Sequence, residues 1–395
     1  MESSVSAAVA AVGCSPELLP ERSSAVAGRI TIDVQSGLDL SPADLDAFDS
    51  LIQSRPDLGV FLSRAWLTGL FEERPDRSDA MLLLLRDGKT LRGAAPIAVR
   101  RGRAQVTVTL LGGGVGSDRV DLLTARGFET VCSDAFMAWL ADTFGRRGYV
   151  LELRDVPAES SVWGAIHRAN AESGRLLAFQ PRDLHTLPYL DLADSRSAAT
   201  SSLAKHRRWL ERRGRLRVDT LDDCDEALAA SESLTAFLHA RWQSHPGGSA
   251  LDPPHQQRFH RRAIPLLLRD GHLRMIRLSS DMRTIAVFYG LAIGAWRGYY
   301  LAGYDREWAG RIHLGKLTLA AAIDAAAREG ATEFDFLKGV ERVKYLWPVR
   351  ERSTLGADIY SQTPASQFSR AVRAAREAAG AFVKSARGLA SRAPR

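Results

Sequence analysis

The chain has 395 residues, a net charge of +7, 45% hydrophobic residues and 25% charged residues. Those values exclude a disordered, collagenous or coiled-coil chain, and the length points to about two or three folding units. No apolar run nears the ~18 residues of a membrane-spanning helix. The three cysteines, Cys14, Cys132 and Cys224, have neither metal spacing nor the pattern of a disulfide framework, so a metal-free cytoplasmic protein is expected.

Residues 1–28 read as a flexible leader of small residues, with Glu2 where a secretory signal would carry basic residues. Beyond it the pattern is mixed α and β. Met81–Leu85, Leu91–Val99 and Val106–Leu111 read as strands, with a turn at Asp87-Gly88. Gly112-Gly113-Gly114 breaks the pattern. Helical spacing then runs from Phe128 to Phe144, and Tyr149–Leu153 returns as a strand.

The second half repeats that order. His272–Leu278 and Thr284–Ile293 read as strands joined by a turn at Ser279–Met282. A further turn at Arg297-Gly298 leads into Tyr299–Tyr304. A helix is predicted from Leu314 to Arg328, stopped by Gly330, and Glu333–Leu337 follows as a strand. Tyr299–Tyr304, the helix and Glu333–Leu337 form a βαβ unit with parallel strands. The fold class is therefore α/β, with one arrangement used twice. The expected division is a leader to 28, one unit over 29–195, a second over 196–362 and a basic tail over 363–395.

Charge is uneven. Ser201–Arg217 carries +6 and Pro364–Arg395 carries +6, leaving the rest acidic. Either segment suits phosphates of a cofactor, an RNA or a lipid surface. The loop before the second helix, with Arg311 and Lys316 around free backbone N–H groups, also suits phosphate.

From Ser201 to about Thr354 the chain resembles the CelD-like branch of the GNAT superfamily of acyltransferases. The residues that carry the likeness run in order: Lys205 to Arg213, His239-Ala240-Arg241-Trp242, Tyr299 to Asp305, Leu314-Gly315-Lys316-Leu317, and Phe334-Asp335-Phe336-Leu337-Lys338-Gly339 with Lys344 and Trp347. The first half fits more loosely, through Ala65-Trp66, Ser117-Asp118 and Asp121. The resemblance implies tandem GNAT-like mixed sheets flanked by helices and acyl-CoA as co-substrate. It maps the pyrophosphate loop onto Arg311, Ile312, His313, Leu314, Gly315 and Lys316. After Gly339 this chain departs from the branch, with Val340 and Val343 where an acid and an aromatic are usual.

Acyl transfer to an amine needs a base for the acceptor, donors for the oxyanion and an acid for the leaving thiolate. Asp335 lies on a strand whose Phe334 and Phe336 face the other way, so it is expected to face the cleft as the base. Glu341 is the next candidate base. Tyr304, at a strand end, is placed to protonate the thiolate. Arg241 and Trp242 are expected to line the acceptor pocket, with Lys338 and Lys344 for an acceptor carboxylate or phosphate and Asp118 for a further contact. The expected reaction is direct attack on the thioester by an amine, or a hydroxyl, of a small molecule or saccharide precursor. Two alternatives stay open. One is a Fem-type transferase taking its acyl group from aminoacyl-tRNA, which Ser201–Arg217 would suit. The other is a binding module whose site has decayed, which Val340 and Val343 favour.

Overall fold

The computed structural model describes residues 22–27, 30–73, 78–103, 105–173, 176–195, 216–244, 247–308 and 313–390. Fourteen of its strands form one mixed sheet. In the first half, β1 (Arg22–Ala27), β2 (Ile30–Gln35), β3 (Asp79–Asp87), β4 (Thr90–Arg101) and β5 (Val106–Leu110) lie side by side, and β6 (Leu123–Thr124) pairs with β4. The helix Glu129–Phe144 then crosses to β7 (Tyr149–Pro157), which runs parallel to β5. A second helix, Ser161–Ser173, leads to the long β8 (Leu176–Asp191).

In the second half, β9 (Arg217–Leu221), β10 (Leu273–Ser280), β11 (Arg283–Ile293) and β12 (Trp296–Tyr304) are antiparallel neighbours. The helix Leu314–Arg328 crosses to β13 (Glu333–Asp335), parallel to β12. β14 (Arg350–Ser361) closes the sheet.

The halves exchange strands. β8 leaves the first half and pairs with β13 of the second, while β14 leaves the second half and pairs with β7 of the first. β8 and β14 then pair with each other at the centre. Neither half completes its sheet with its own residues.

Local sequence explains the helix ends. Ser41 accepts from the Asp44 N–H ahead of the helix Pro42–Ser54, and Asp223 accepts from the Glu226 N–H ahead of the helix Cys224–Trp242. The latter helix has Asp225 and Glu226 in its first turn and His239 and Arg241 in its last, which suits the helix dipole. The helix Leu314–Arg328 stops at Gly330 (φ 76): the Gly330 N–H reaches Ala327 O and the Ala331 N–H reaches Ala326 O. That pair of bonds is a Schellman stop.

One buried cluster joins the halves, with Phe61 and Trp66 from the first packed against Leu234, Phe259 and Tyr289 from the second. Two further clusters lie under the helices Glu129–Phe144 and Leu314–Arg328.

Several expectations need correction. Arg22–Ala27, assigned to the leader, forms β1; residues 1–21 lie outside the described residues. The turn expected at Arg297-Gly298 falls at Gly294-Ala295, and Gly298 is inside β12 under the Trp296 ring, where a Cβ would come within 2.3 Å of that ring. In the tail, Pro364–Ala390 is a helix, which agrees with reading its charges as a helix face. Of the basic segment Ser201–Arg217, only Leu216 and Arg217 are described.

Candidate active site

β13 stays beside β12 for only three residue pairs, Trp296↔Glu333 to Gly298↔Asp335. Beyond Gly298, β12 has no strand partner on that edge among the described residues, which leaves backbone groups open from Tyr299 onward. A cleft of about 710 Å³ opens there. Its walls are β12 from Tyr299 to Ala302, the segment after β13, the end of the helix Cys224–Trp242, the loop 247–256 and the glycine-rich loop of the first half.

Two residues with left-handed backbones position Lys338, which lines the cleft. Asp155 (φ 56) bulges from β7 and Leu337 (φ 55) turns the chain after β13. Each costs roughly 1 kcal/mol of strain. Lys338, next in line, reaches the first half: its Nζ lies 2.8 Å from Asp155 Oδ1 and its N–H donates to Asp118 Oδ2 at 3.1 Å.

The glycine-rich loop is held on three sides. Gly112, Gly114 and Gly116 all take positive φ. The Gly114 N–H donates to Asp155 Oδ2 at 2.8 Å, Trp66 Nε1–H donates to Ser117 Oγ at 2.9 Å, and the Tyr300 hydroxyl donates to Gly116 O at 2.9 Å. These contacts present Asp118 to the cleft. Burial raises its pKa; Lys338 and Lys344 oppose the rise and the Asp155 charge adds to it. Tyr299 also lines the cleft, and burial, aided by Glu341, pushes its phenol up to about 12, so it stays protonated at neutral pH.

The other expected site residues divide. Glu341 lines the cleft and pairs with Lys344 Nζ at 2.8 Å. Arg241 and Trp242 line it too, with the Arg241 guanidinium 5.4 Å from the Trp242 ring and 5.8 Å from the Tyr304 ring. Lys344 also reaches it but is 2% exposed. Its Nζ donates to Lys338 O at 2.7 Å and Gly339 O at 3.2 Å besides meeting Glu341, so it staples the loop rather than offering protons to an acceptor.

Asp335 does not face the cleft. It is fully buried, its Oδ1 accepts from the Leu337 N–H, and its Oδ2 meets Arg352, with Arg119 3.8 Å away. Phe334 and Phe336 do pack together on the helix side, but on the opposite face Asp335 meets Arg352, carried by β14, and Arg119. A carboxylate so paired is not available to an acceptor. Tyr304 does not line the cleft either; its ring stands against the start of the helix, where a Cβ on Gly315 would come within 3.2 Å.

In the expected pyrophosphate loop, Arg311 and Ile312 lie outside the described residues. His313 is exposed, Leu314 is buried in the core under the helix, and Gly315 and Lys316 are half-buried in the first turn. First-turn N–H groups have no partner within their helix. Sequence reasoning missed Asp155, Tyr299 and Tyr300. Asp155 carried one signal, an aspartate after a predicted strand, since Asp tolerates the left-handed region.

Residues 197–345 match the family model described as an acetyltransferase (GNAT) domain. The second half has the GNAT fold. Among solved structures, FemX aligns with a TM-score of 0.54 at 9% identity, over 79% of this chain and 95% of that one. L-PGS from Bacillus licheniformis aligns with a TM-score of 0.50 at 12% identity, over 87% of this chain and 98% of that one. At such identities the likeness is one of fold, and it spans both GNAT-like halves. No curated protein matches the sequence.

Proposed function

We propose that the protein is an acyltransferase of the CelD-like kind, moving an acyl group from acyl-CoA to the amine of a small molecule held in the cleft. The observation that carries the reading is the parting of β12 from β13 after Gly298, beside a helix N-terminus and a carboxylate of raised pKa. In this reading the second half, 196–362, takes the donor. The pantetheine arm lies along the open edge of β12, and the phosphates meet the first-turn N–H groups of Gly315 and Lys316. The first half, 29–195, supplies Asp118 to the acceptor.

Asp118, rather than Asp335, accepts the amine proton. The freed amine attacks the thioester carbonyl, open N–H groups of β12 hold the oxyanion, and the thiolate leaves with CoA. Tyr299, neutral in the cleft, donates a hydrogen bond to the departing sulfur. Glu341 and Lys344 shape the wall, and Arg241 with Trp242 lines the acceptor side. The fold shared with FemX supports a second reading, in which the donor is an aminoacyl-tRNA.

Calorimetric titration of CoA against the wild type and Gly315→Glu decides between them. The glutamate adds bulk against Tyr304 and charge against phosphate, so at least a tenfold loss of CoA affinity is expected. Equal binding by both proteins would remove the donor assignment. Absence of CoA binding, with tRNA affinity falling on the order of 10³-fold between 50 and 200 mM salt, would establish the second reading.

A further inference from the structure

The helix Pro364–Ala390 runs for 27 residues after β14. It meets the body through its polar side. Arg373 donates to Asp358 and to Glu152, each at 2.6 Å, and Ser366 is buried beside Ser361. The other side carries Phe368, 70% exposed, with Ala375 and Ala379 also exposed. Phe368, Val372, Ala375 and Ala379 follow the three-and-four spacing that places residues on one helix face. The same spacing continues in the sequence through Phe382, Ala386 and Leu389. The helix is thus turned inside out: a cation faces the sheet and an apolar stripe faces away. A surface helix ordinarily does the reverse, because the stripe is what burial stabilises.

Charge decides what covers the stripe. Beyond Arg373, the segment 364–395 holds Arg370, Arg376, Lys384, Arg387, Arg392 and Arg395 against the single acid Glu377. A second copy of the helix would bring these cations together with one acid per helix to offset them. An anionic surface would attract that net positive charge. No described helix is long and apolar enough to cross a membrane, so an apolar stripe on this one has to lie in the interface plane.

We propose that the helix Pro364–Ala390 docks the protein onto an anionic lipid surface, with the stripe from Phe368 to Ala379 in the headgroup layer and the net positive charge of the segment drawn to the lipid charges. This inference is independent of the acyl-transfer reading.

The test is sedimentation of the full chain with vesicles of phosphatidylcholine alone and with vesicles containing phosphatidylglycerol. At least tenfold tighter partition onto the phosphatidylglycerol vesicles is expected, weakening with salt. The double variant Phe368→Asp, Ala379→Asp should abolish partition while the melting temperature stays put, because both side chains are exposed. The variant Arg376→Gln, off the face that Ser366 and Arg373 turn to the sheet, keeps the stripe and tests the charge separately. Each lost cation should weaken binding about fivefold, the equivalent of about 1 kcal/mol per Lys or Arg near an anionic surface. Failure to sediment with either vesicle, or equal sedimentation with both, overturns the proposal. So does a lipid-free dimer that Phe368→Asp dissociates, which would assign the stripe to a second copy.

Discussion

Asp118 and Asp335 are both carboxylates near the junction of the halves, and their surroundings give them opposite roles. Asp118 faces the cleft, and burial raises its pKa. Asp335 is sealed against Arg352 and the Leu337 N–H. Asp118→Asn keeps an acceptor for the Lys338 N–H and removes the charge, so folding should persist. Turnover should fall 10²–10⁴-fold, the usual share of a general base. In the wild type, activity should decline on the acid side at a pH above the ordinary aspartate range, and that limb should vanish in the variant; pH–rate profiles of both proteins check this. Asp335→Asn should leave the pH limb intact and lower the urea midpoint, because Arg352 loses one of its two carboxylate partners and keeps Glu333. The sequence alone could not sort the two. Alternation along β13 does place Asp335 opposite Phe334 and Phe336, but only the arginines brought in from afar, Arg352 and Arg119, decide that it is sealed.

Where partners are near in sequence, the elements were legible. The β3–β4 and β10–β11 hairpins, the helix Leu314–Arg328 with its Gly330 stop and the βαβ order follow from period and turn residues, whereas the β11–β12 turn was expected three residues too late. β8 was not, for a physical reason. It contains Pro181 and Pro188, which demote a stretch as a strand, and both its partners come from the second half. The basic tail looked like a solvated run, since nothing in its composition reveals which side meets the sheet. At the β10–β11 hairpin, the two loop residues Asp281 and Met282 both take positive φ, at 49 and 68. That geometry is what Asn-Gly fits, and Met282, at 96% exposed, gains no packing to offset the strain. Met282→Gly should therefore raise stability by about 1 kcal/mol, seen as a higher urea midpoint at unchanged slope.

Across the whole molecule, the halves meet at an aromatic cluster around His260. The ring is 2% exposed, touches Phe259 at 4.8 Å and Trp66 at 6.1 Å between centroids, and faces the Tyr289 hydroxyl at 3.4 Å. Burial depresses its pKa to about 3. The unfolded chain binds a proton near pH 6.5 that the folded chain refuses, so this group's contribution is present above that pH and lost as pH falls toward 3. Between those limits wild-type stability should drop by about 1.4 kcal/mol per pH unit on account of this residue. Urea melts of His260→Phe across the same range should show a slope shallower by that amount; identical slopes would mean that the ring is protonated in the fold.

The exchange of β8 and β14 also governs how the protein can be made. During translation β7 emerges early, yet the strand that covers its open edge comes roughly 190 residues later, or roughly 10–40 s at ordinary ribosome speeds of 5–20 residues per second. Throughout that interval the nascent chain displays Val150 to Pro157 as a bare template for any passing strand. The first half therefore waits on the ribosome, and productive closure is largely a post-translational event. Holdase chaperones, slow codons ahead of Arg350 and low expression temperature all act on that same window.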